Sequence, residues 1–418
     1  MSSFVLHNAR IAGADAPADI EITGGRIAAI VPATGAPCAP GDIDCDGRVV
    51  IPGLIESHLH LDKALLDGER PNPEGTLAAA IQITADLKRS FTPDTVRARA
   101  RRVLDQAILN GTTHVRAHPD VDPIVGLTCL DAMLDLREEY RDRVDLQVVA
   151  FPQEGIVQAP GTLDLLREAL QRGADVVGGC TYNEPDLATC HRHVDLVFDL
   201  AAEFGVPVDM HADLADDASD PRFALAEHIA GVTEERGMSG RVALGHMNSL
   251  AGRSAAERKD ALARLAAAGV AVVPLPATDL HLSGRADTAN TRRGIAPVRE
   301  LWDAGVVTAY SSNNVRNAFT PYGNADLLDI GLLLAQTSHL SGPADLARVL
   351  AMATTEAARV LGLTSYGLRP GADADLVVLS STDLAGALLD RPDRCFVLKR
   401  GRVVARTTRT TVLEGASA

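Results

Sequence analysis

The middle of this chain alternates apolar, strand-like runs with helix-like segments, and the alternation is regular enough to limit the choice of fold. Candidate strands end near His60, His118, Phe151, Gly179, His211, His246, Pro274 and Ser311. Most are about 30 residues apart, the length of one strand–helix unit. Helical patterns fill the gaps at 94–109, 127–140, 163–172, 194–204, 259–268 and 297–304. Gly205, Gly269 and Gly305 follow three of them as stops. Eight strands in such alternation point to an α/β fold, a (β/α)8 barrel of the TIM type. A doubly wound open sheet is the rival. It would carry a glycine-rich phosphate loop after an early strand, and the sequence has none there. Further helices are expected at 325–339, 344–353 and 355–361.

The two ends read differently. Asp19-Ile20-Glu21-Ile22-Thr23 alternates polar and apolar residues, Gly24-Gly25 turns, and Arg26-Ile27-Ala28-Ala29-Ile30 resumes. Near the other end, Ala374-Asp375-Leu376-Val377-Val378-Leu379 is one strand. Phe396-Val397-Leu398-Lys399 and Val403-Val404 flank Arg400-Gly401 as a hairpin. The economical solution is one small β-sandwich domain made by both ends, 1–52 and 366–418, beside a barrel spanning 53–365.

Composition narrows the partners. A net charge of −15 repels nucleic-acid phosphates and anionic membranes, and 3% aromatic residues leave little for base stacking. A neutral or cationic small molecule is the expected substrate. No run of about 18 apolar residues is present to cross a bilayer, and the start lacks the pattern of a signal peptide. Cys38, Cys45, Cys129, Cys180, Cys190 and Cys395 are scattered without paired spacing, so they read as free thiols in a reducing compartment. The expected location is the cytoplasm.

Barrel enzymes place their chemistry at the C-terminal ends of the strands. His58-Leu59-His60 closes the first strand, and residues two apart on a strand face the same way. Arg116 and His118 close the second, Gln153 follows the third, His211 and Asp213 the fifth, His246 the sixth, and Asn313 lies just past the eighth. His58, His60, His211 and His246 converge if the barrel closes. Neutral imidazoles suit zinc, iron, cobalt or nickel, and a bound divalent ion lowers the pKa of its water to about 7. His118 reads equally well as a structural histidine. His281, after the seventh strand, is a candidate substrate contact. His191 and His193 fall early in a helix and are expected to be solvated, while His7, His228 and His339 read as ordinary positions.

Several longer motifs add a family. They are Val50-Ile51-Pro52-Gly53-Leu54-Ile55-Glu56-Ser57-His58-Leu59-His60-Leu61-Asp62-Lys63, His114-Val115-Arg116-Ala117-His118-Pro119-Asp120-Val121 and Leu146-Gln147-Val148-Val149-Ala150-Phe151-Pro152-Gln153-Glu154-Gly155. Gly284-Arg285-Ala286-Asp287-Thr288, Arg292-Arg293-Gly294-Ile295 and Pro370-Gly371-Ala372-Asp373-Ala374-Asp375-Leu376 extend them. With these the chain resembles the amidohydrolase superfamily, and more narrowly its cytosine deaminase subgroup. The resemblance implies one divalent metal per chain, zinc or iron ahead of cobalt, manganese or nickel. His58, His60 and His211 would hold it, and His246 would bond its water. Gln153 would contact an amide or ring edge of the substrate, with Arg116, His118, His281 and Leu214 as further candidate contacts. A homo-oligomer is also implied.

Two positions depart from the subgroup. Asn313 stands where the family has an Asp that ligates the metal and acts as a base, and Leu214 stands where the subgroup has its acid Glu. An Asn carbonyl can ligate but takes no proton at neutral pH, and a Leu does neither. Loss of a general acid costs about 10²–10⁴-fold. The reading is therefore a divergent metal-dependent amidohydrolase. It would cleave a carbon–nitrogen or related carbon–heteroatom bond that needs no ring protonation, with His246, Asn313 and Asp213 as the candidate catalytic residues: His246 to relay the proton, Asp213 as the nearest spare carboxylate and Asn313 as a candidate metal ligand. The alternative is a non-hydrolytic descendant, either a binder or an enzyme of cyclisation, elimination or isomerisation. Deamination of polynucleotides is disfavoured, because the His-x-Glu and Pro-Cys-x-x-Cys signature is absent.

Overall fold

The computed structural model describes residues 3–12, 14 and 16–413. The remaining positions of the expected end domain lie outside the described residues. The chain opens with β1 (Ser3–Ala9), β2 (Ala18–Thr23), β3 (Arg26–Pro32), β4 (Ile43–Asp44) and β5 (Val50–Pro52). The first four form one sheet in the order β3-β2-β1-β4. The barrel strands follow: β6 (Leu54–Leu59), β7 (Thr112–Ala117), β8 (Asp145–Ala150), β9 (Val176–Cys180), β10 (Val208–Ala212), β11 (Val242–His246) and β12 (Ala271–Val273). They pair in sequence order, all parallel. The chain ends with β13 (Leu376–Leu379), β14 (Arg394–Lys399) and β15 (Arg402–Arg406), which join β5 in a second small sheet.

The two small sheets face each other across Leu6, Ile20, Ile22, Val50, Leu376, Val378 and Leu398. Alternating side chains explain this layer, since one face of each sheet buries its apolar set. Gly53 carries the chain from the sandwich into the barrel. A Cβ there would lie 2.3 Å from the Thr113 side chain, so a glycine leaves that side chain its room.

The eighth barrel strand is not a full strand. Two parallel bridges mark it, Val272 to Thr308 and Leu59 to Asn313. Side chains replace the missing ladder. Glu56 is buried and accepts hydrogen bonds from the Ser311 and Ser312 hydroxyls and the Ser312 N–H, and the Ser311 hydroxyl accepts the His58 N–H at 3.0 Å. The barrel therefore closes at a seam stitched by Glu56, next to His58.

The α-helices of six residues or more are α1 (Leu77–Lys88), α2 (Pro93–Leu109), α3 (Thr128–Tyr140), α4 (Thr162–Gln171), α5 (Leu187–Phe204), α6 (Ala226–Glu235), α7 (Ala255–Ala268) and α8 (Pro276–Leu282), then α9 (Val298–Asp303), α10 (Leu327–Thr337), α11 (Pro343–Met352) and α12 (Thr355–Leu361). Three of them, α1, α6 and α8, go beyond the sequence reading. Helix α5 starts at Leu187, well before the expected 194, because Asp186 caps it with a reciprocal bond to Thr189. The main core lies between the strands and these helices, around residues such as Leu104, Leu130, Val148, Val197 and Leu244. No helix among the described residues is long and apolar enough to cross a membrane.

Candidate active site

His58 is the last but one residue of β6 and His60 follows the strand, so strand alternation turns both rings toward the barrel axis. His211, near the end of β10, meets them. Its Nε2 lies 3.0 Å from Nε2 of His58 and 3.0 Å from Nε2 of His60. All three rings are buried. His60 Nδ1 donates to the carbonyl of His118 at 2.9 Å, which fixes its tautomer and leaves the Nε2 lone pair facing His211. Burial, with His118 next, holds the His58 imidazole down at about 3, and burial also keeps His60 and His211 well below the usual histidine range. These are neutral imidazoles with nitrogens aimed at one point.

Asn313 stands at the seam. Its N–H donates to the His58 carbonyl at 3.1 Å, and its own carbonyl accepts the His60 N–H at 2.8 Å. Its backbone is left-handed, with φ 60°, and its side-chain Oδ1 is buried without a hydrogen-bond partner. An orphaned carbonyl oxygen in a dry site costs about 1–3 kcal/mol unless something takes it up. A divalent ion fits this set. A tetrahedral site with Zn–N near 2.0–2.1 Å has ligand–ligand edges of about 3.3 Å, close to the spacing of these nitrogens.

The other predicted residues divide by geometry. His246 lies on the cavity wall, and its Nδ1 donates to Asp279 Oδ1 at 2.6 Å, so Nε2 is left free. Gln153 also lines the cavity, with its Oε1 accepting from Lys63 Nζ at 3.1 Å. Leu214 is part of the wall. Asp213 borders the cavity, but β10 has ended and its φ is +51°. Its two carboxylate oxygens accept the Leu225 and Ala226 N–H groups at the start of α6. Burial raises its carboxyl to about 6.

Arg116 and His118 do not reach the cavity. Arg116 is buried beneath it, with Nη1 on Asp209 at 2.7 Å, Nε on Gln147 at 2.7 Å and Nη2 on the Val360 carbonyl. His118 stacks under His58 at 3.8 Å, with Nε2 3.1 Å from Asp209 Oδ1 but not aligned for a directed hydrogen bond. Asp209 thus anchors a platform under the first histidine. His281 lies on α8 rather than in a loop, and faces a separate groove beside Arg285 and Tyr322. His193, expected to be solvated, is fully buried and bonded to Glu184 at 2.8 Å, while His191 stacks on His228.

The cavity encloses about 520 Å³ of space, part of it open to solvent. Leu77, Ile81, Leu214, Phe223, Leu282 and Phe319 give it an apolar wall opposite the histidines. Lys63 is the residue that inspection of strand ends passed over. It sits three places beyond His60, is buried, and bonds Asp120 at 2.5 Å. Its place in the run His58-Leu59-His60-Leu61-Asp62-Lys63 was the available signal.

Known proteins resemble this chain over nearly its whole length. A profile described as the amidohydrolase family matches residues 42–417. An N-isopropylammelide isopropyl amidohydrolase from Pseudomonas sp. (strain ADP) is 31% identical over 412 residues, 96% of this chain and 97% of that one. A pterin deaminase from Rhizobium rhizogenes is 31% identical, covering 93% of this chain and 88% of its own length. The crystal structure of 5-methylcytosine deaminase from Klebsiella pneumoniae liganded with 5-fluorocytosine superposes with a TM-score of 0.94 and 32% identity, over all of both chains. Hydrolases surround the chain in both sequence and fold, which sets aside the non-hydrolytic alternative. The chain belongs to the amidohydrolase family, in its cytosine deaminase-like branch, and is a hydrolase acting on carbon–nitrogen bonds other than peptide bonds.

Proposed function

We propose that this enzyme hydrolyses the bond between a small, weakly polar nitrogen heterocycle and an exocyclic amino or N-alkylamino substituent. Leu214 carries the reading. It replaces the subgroup's acid with an apolar wall that continues through Leu77, Ile81, Leu282 and Phe319, a surface suited to an alkyl group. A bond whose cleavage needs no ring protonation fits a pocket without that acid. The Pseudomonas relative named for N-isopropylammelide lends support.

His58, His60 and His211 would hold one divalent ion, zinc or iron, with Asn313 Oδ1 as the candidate fourth donor. Such an ion supplies Lewis acidity and an activated water when bound. His246, held by Asp279, takes a proton at Nε2 during attack and returns it to the leaving amine. Gln153 and Lys63 offer N–H donors to the ring edge. Asp213, with both oxygens bound to backbone, holds the start of α6 rather than moving protons. Overall the C–N bond is replaced by C–O, water is consumed and an amine is released. The same reading places the boundaries of the barrel at 53–365, with the enzyme in the cytoplasm as a homo-oligomer.

The test is turnover of N-isopropylammelide, 5-methylcytosine and pterin by metal-replete enzyme in 18O-labelled water. The expected result is label in the product and preference for the N-alkyl substrate. Unlabelled product, or turnover of none of the three, would contradict the reading.

A further inference from the structure

Glu184 is a fully buried carboxylate outside the cavity, between β9 and α5, and it gathers four donors. The N–H groups of Ile156 and Val157 reach Oε1 at 2.8 and 3.0 Å, and that of Gln158 reaches Oε2 at 2.9 Å. His193 Nδ1 donates to Oε1 at 2.8 Å. The Cys180 N–H donates to His193 Nε2 at 3.1 Å, so that nitrogen carries the lone pair and Nδ1 the proton. Burial works to raise the Glu184 carboxyl, but the bonds from His193 and the backbone outweigh it and leave the group below its ordinary value.

Both segments tied to this carboxylate end in the cavity. The loop after β8 presents Gln153, and the end of β9 with the residues that follow presents Cys180, Thr181 and Tyr182. Asn183 Nδ2 adds a bond to the Gln153 carbonyl at 3.2 Å. Gly155, at φ 88°, lets the loop curl around the charge, and a Cβ there would lie 2.8 Å from Glu184 Oε1. Charge-assisted bonds of this kind are about twice as strong as neutral ones. Neither Glu184 nor His193 lines the cavity.

We propose that Glu184 and His193 are positioning residues: together they clamp the loop after β8 to the end of β9 and so hold Gln153 in its substrate-contacting pose. The proposal rests on the reading of Gln153 as a substrate contact. Substrate recognition then depends on a buried pair that never touches substrate. Glu184→Gln turns one acceptor into a donor facing backbone N–H groups, so the loop loosens and Gln153 drifts.

A double-mutant cycle tests it, using the fastest of N-isopropylammelide, 5-methylcytosine and pterin as probe. Glu184→Gln is expected to raise KM roughly tenfold with a smaller change in kcat. In a Gln153→Ala background the same change should cost less than about twofold, because the contact it serves is already gone. His193→Asn, which keeps a donor near the Nδ1 position, should lie closer to the parent than His193→Ala does. Amide hydrogen exchange is the second readout, independent of turnover. In Glu184→Gln the 156–158 amides should exchange at least about tenfold faster, with those of α7 unchanged. Additive effects in the cycle, or unaltered protection at 156–158, would overturn the proposal. If none of the three probes is turned over, the proposed function fails separately and the exchange result alone decides this one. Should Glu184→Gln fail to fold, Gly155→Ala strains the same loop from the other side, and the same pair of outcomes applies.

Discussion

Two histidine clusters lie at opposite ends of the barrel, and they differ in how their polar atoms are satisfied. At the mouth, His58, His60 and His211 bring three ring nitrogens together with no acid or cation among them, and Asn313 Oδ1 has no partner. At the other end, His114, Asp145 and Asp375 are also close enough to hold an ion. There Lys399 fills the place, with Nζ at 2.7 Å from Asp375, 2.9 Å from Asp145 and 3.3 Å from His114 Nε2. Residue types alone would rate the two clusters alike. The first has acceptors waiting for a cation. The second has one built in, and it fastens the sandwich to the barrel through β14. Satisfaction of hydrogen bonds, rather than the presence of histidine, separates a ligand set from a structural one.

The largest effect should come from the mouth. His58→Ala is expected to lower kcat/KM for any accepted substrate by about three orders of magnitude or more, since the proposed ion and the water it would activate would be lost together. Steady-state kinetics on the purified variant checks this. At the other end, Lys399→Met should leave kcat/KM within a few-fold. It should destabilise the fold by about 3–5 kcal/mol, because Asp375 is left buried without its partner. Urea denaturation reads that loss. If Lys399→Met abolished activity without loss of stability, the two ends would not be distinct in the way described.

Leu214→Glu sharpens the contrast within the mouth itself, between the histidine floor and the apolar wall. A carboxyl there restores the subgroup's acid. Turnover of 5-methylcytosine should rise about tenfold or more, and that of N-isopropylammelide should fall. A fall for both substrates would mean that Leu214 has no part in the choice. The smallest effect concerns a third histidine setting. His7 in β1 is raised by its bond to Asp42, then by the charges of Asp19 and Asp42, against the opposing effect of burial. A raised histidine stabilises fully below its unfolded value of about 6.5 and loses that stabilisation as pH climbs through its folded value. His7→Gln should therefore flatten the stability profile just above pH 6.5, as read by thermal unfolding across pH 5.5–8.5.

Much of this was legible in the sequence because it follows from periodicity. The strand ends at His58, His211 and His246 came from apolar runs of the right spacing, and the sandwich came from alternation at both ends. Context hid the rest. The eighth strand reads as a strand, yet Ser311 and Ser312 bond Glu56 across the closing seam, a contact 255 residues away in one case. Arg116 looks like a mouth residue until Asp209, on a strand far along the chain, pulls it under the site. Asp213 looks like a spare acid, but left-handed backbone turns it into the cap of α6. His193 looks solvated on a helix start, because nothing local announces that Glu184 folds back onto it. Lys63 needed no long-range knowledge, only attention to the residue three places past the second histidine.

The measurement that bears most directly on the account is elemental analysis of the purified chain, of His58→Ala and of His114→Ala, all expressed with zinc and iron supplied. The account requires about one divalent ion per chain in the parent and in His114→Ala, and essentially none in His58→Ala. No ion in the parent, or an ion lost from His114→Ala but kept in His58→Ala, would contradict it.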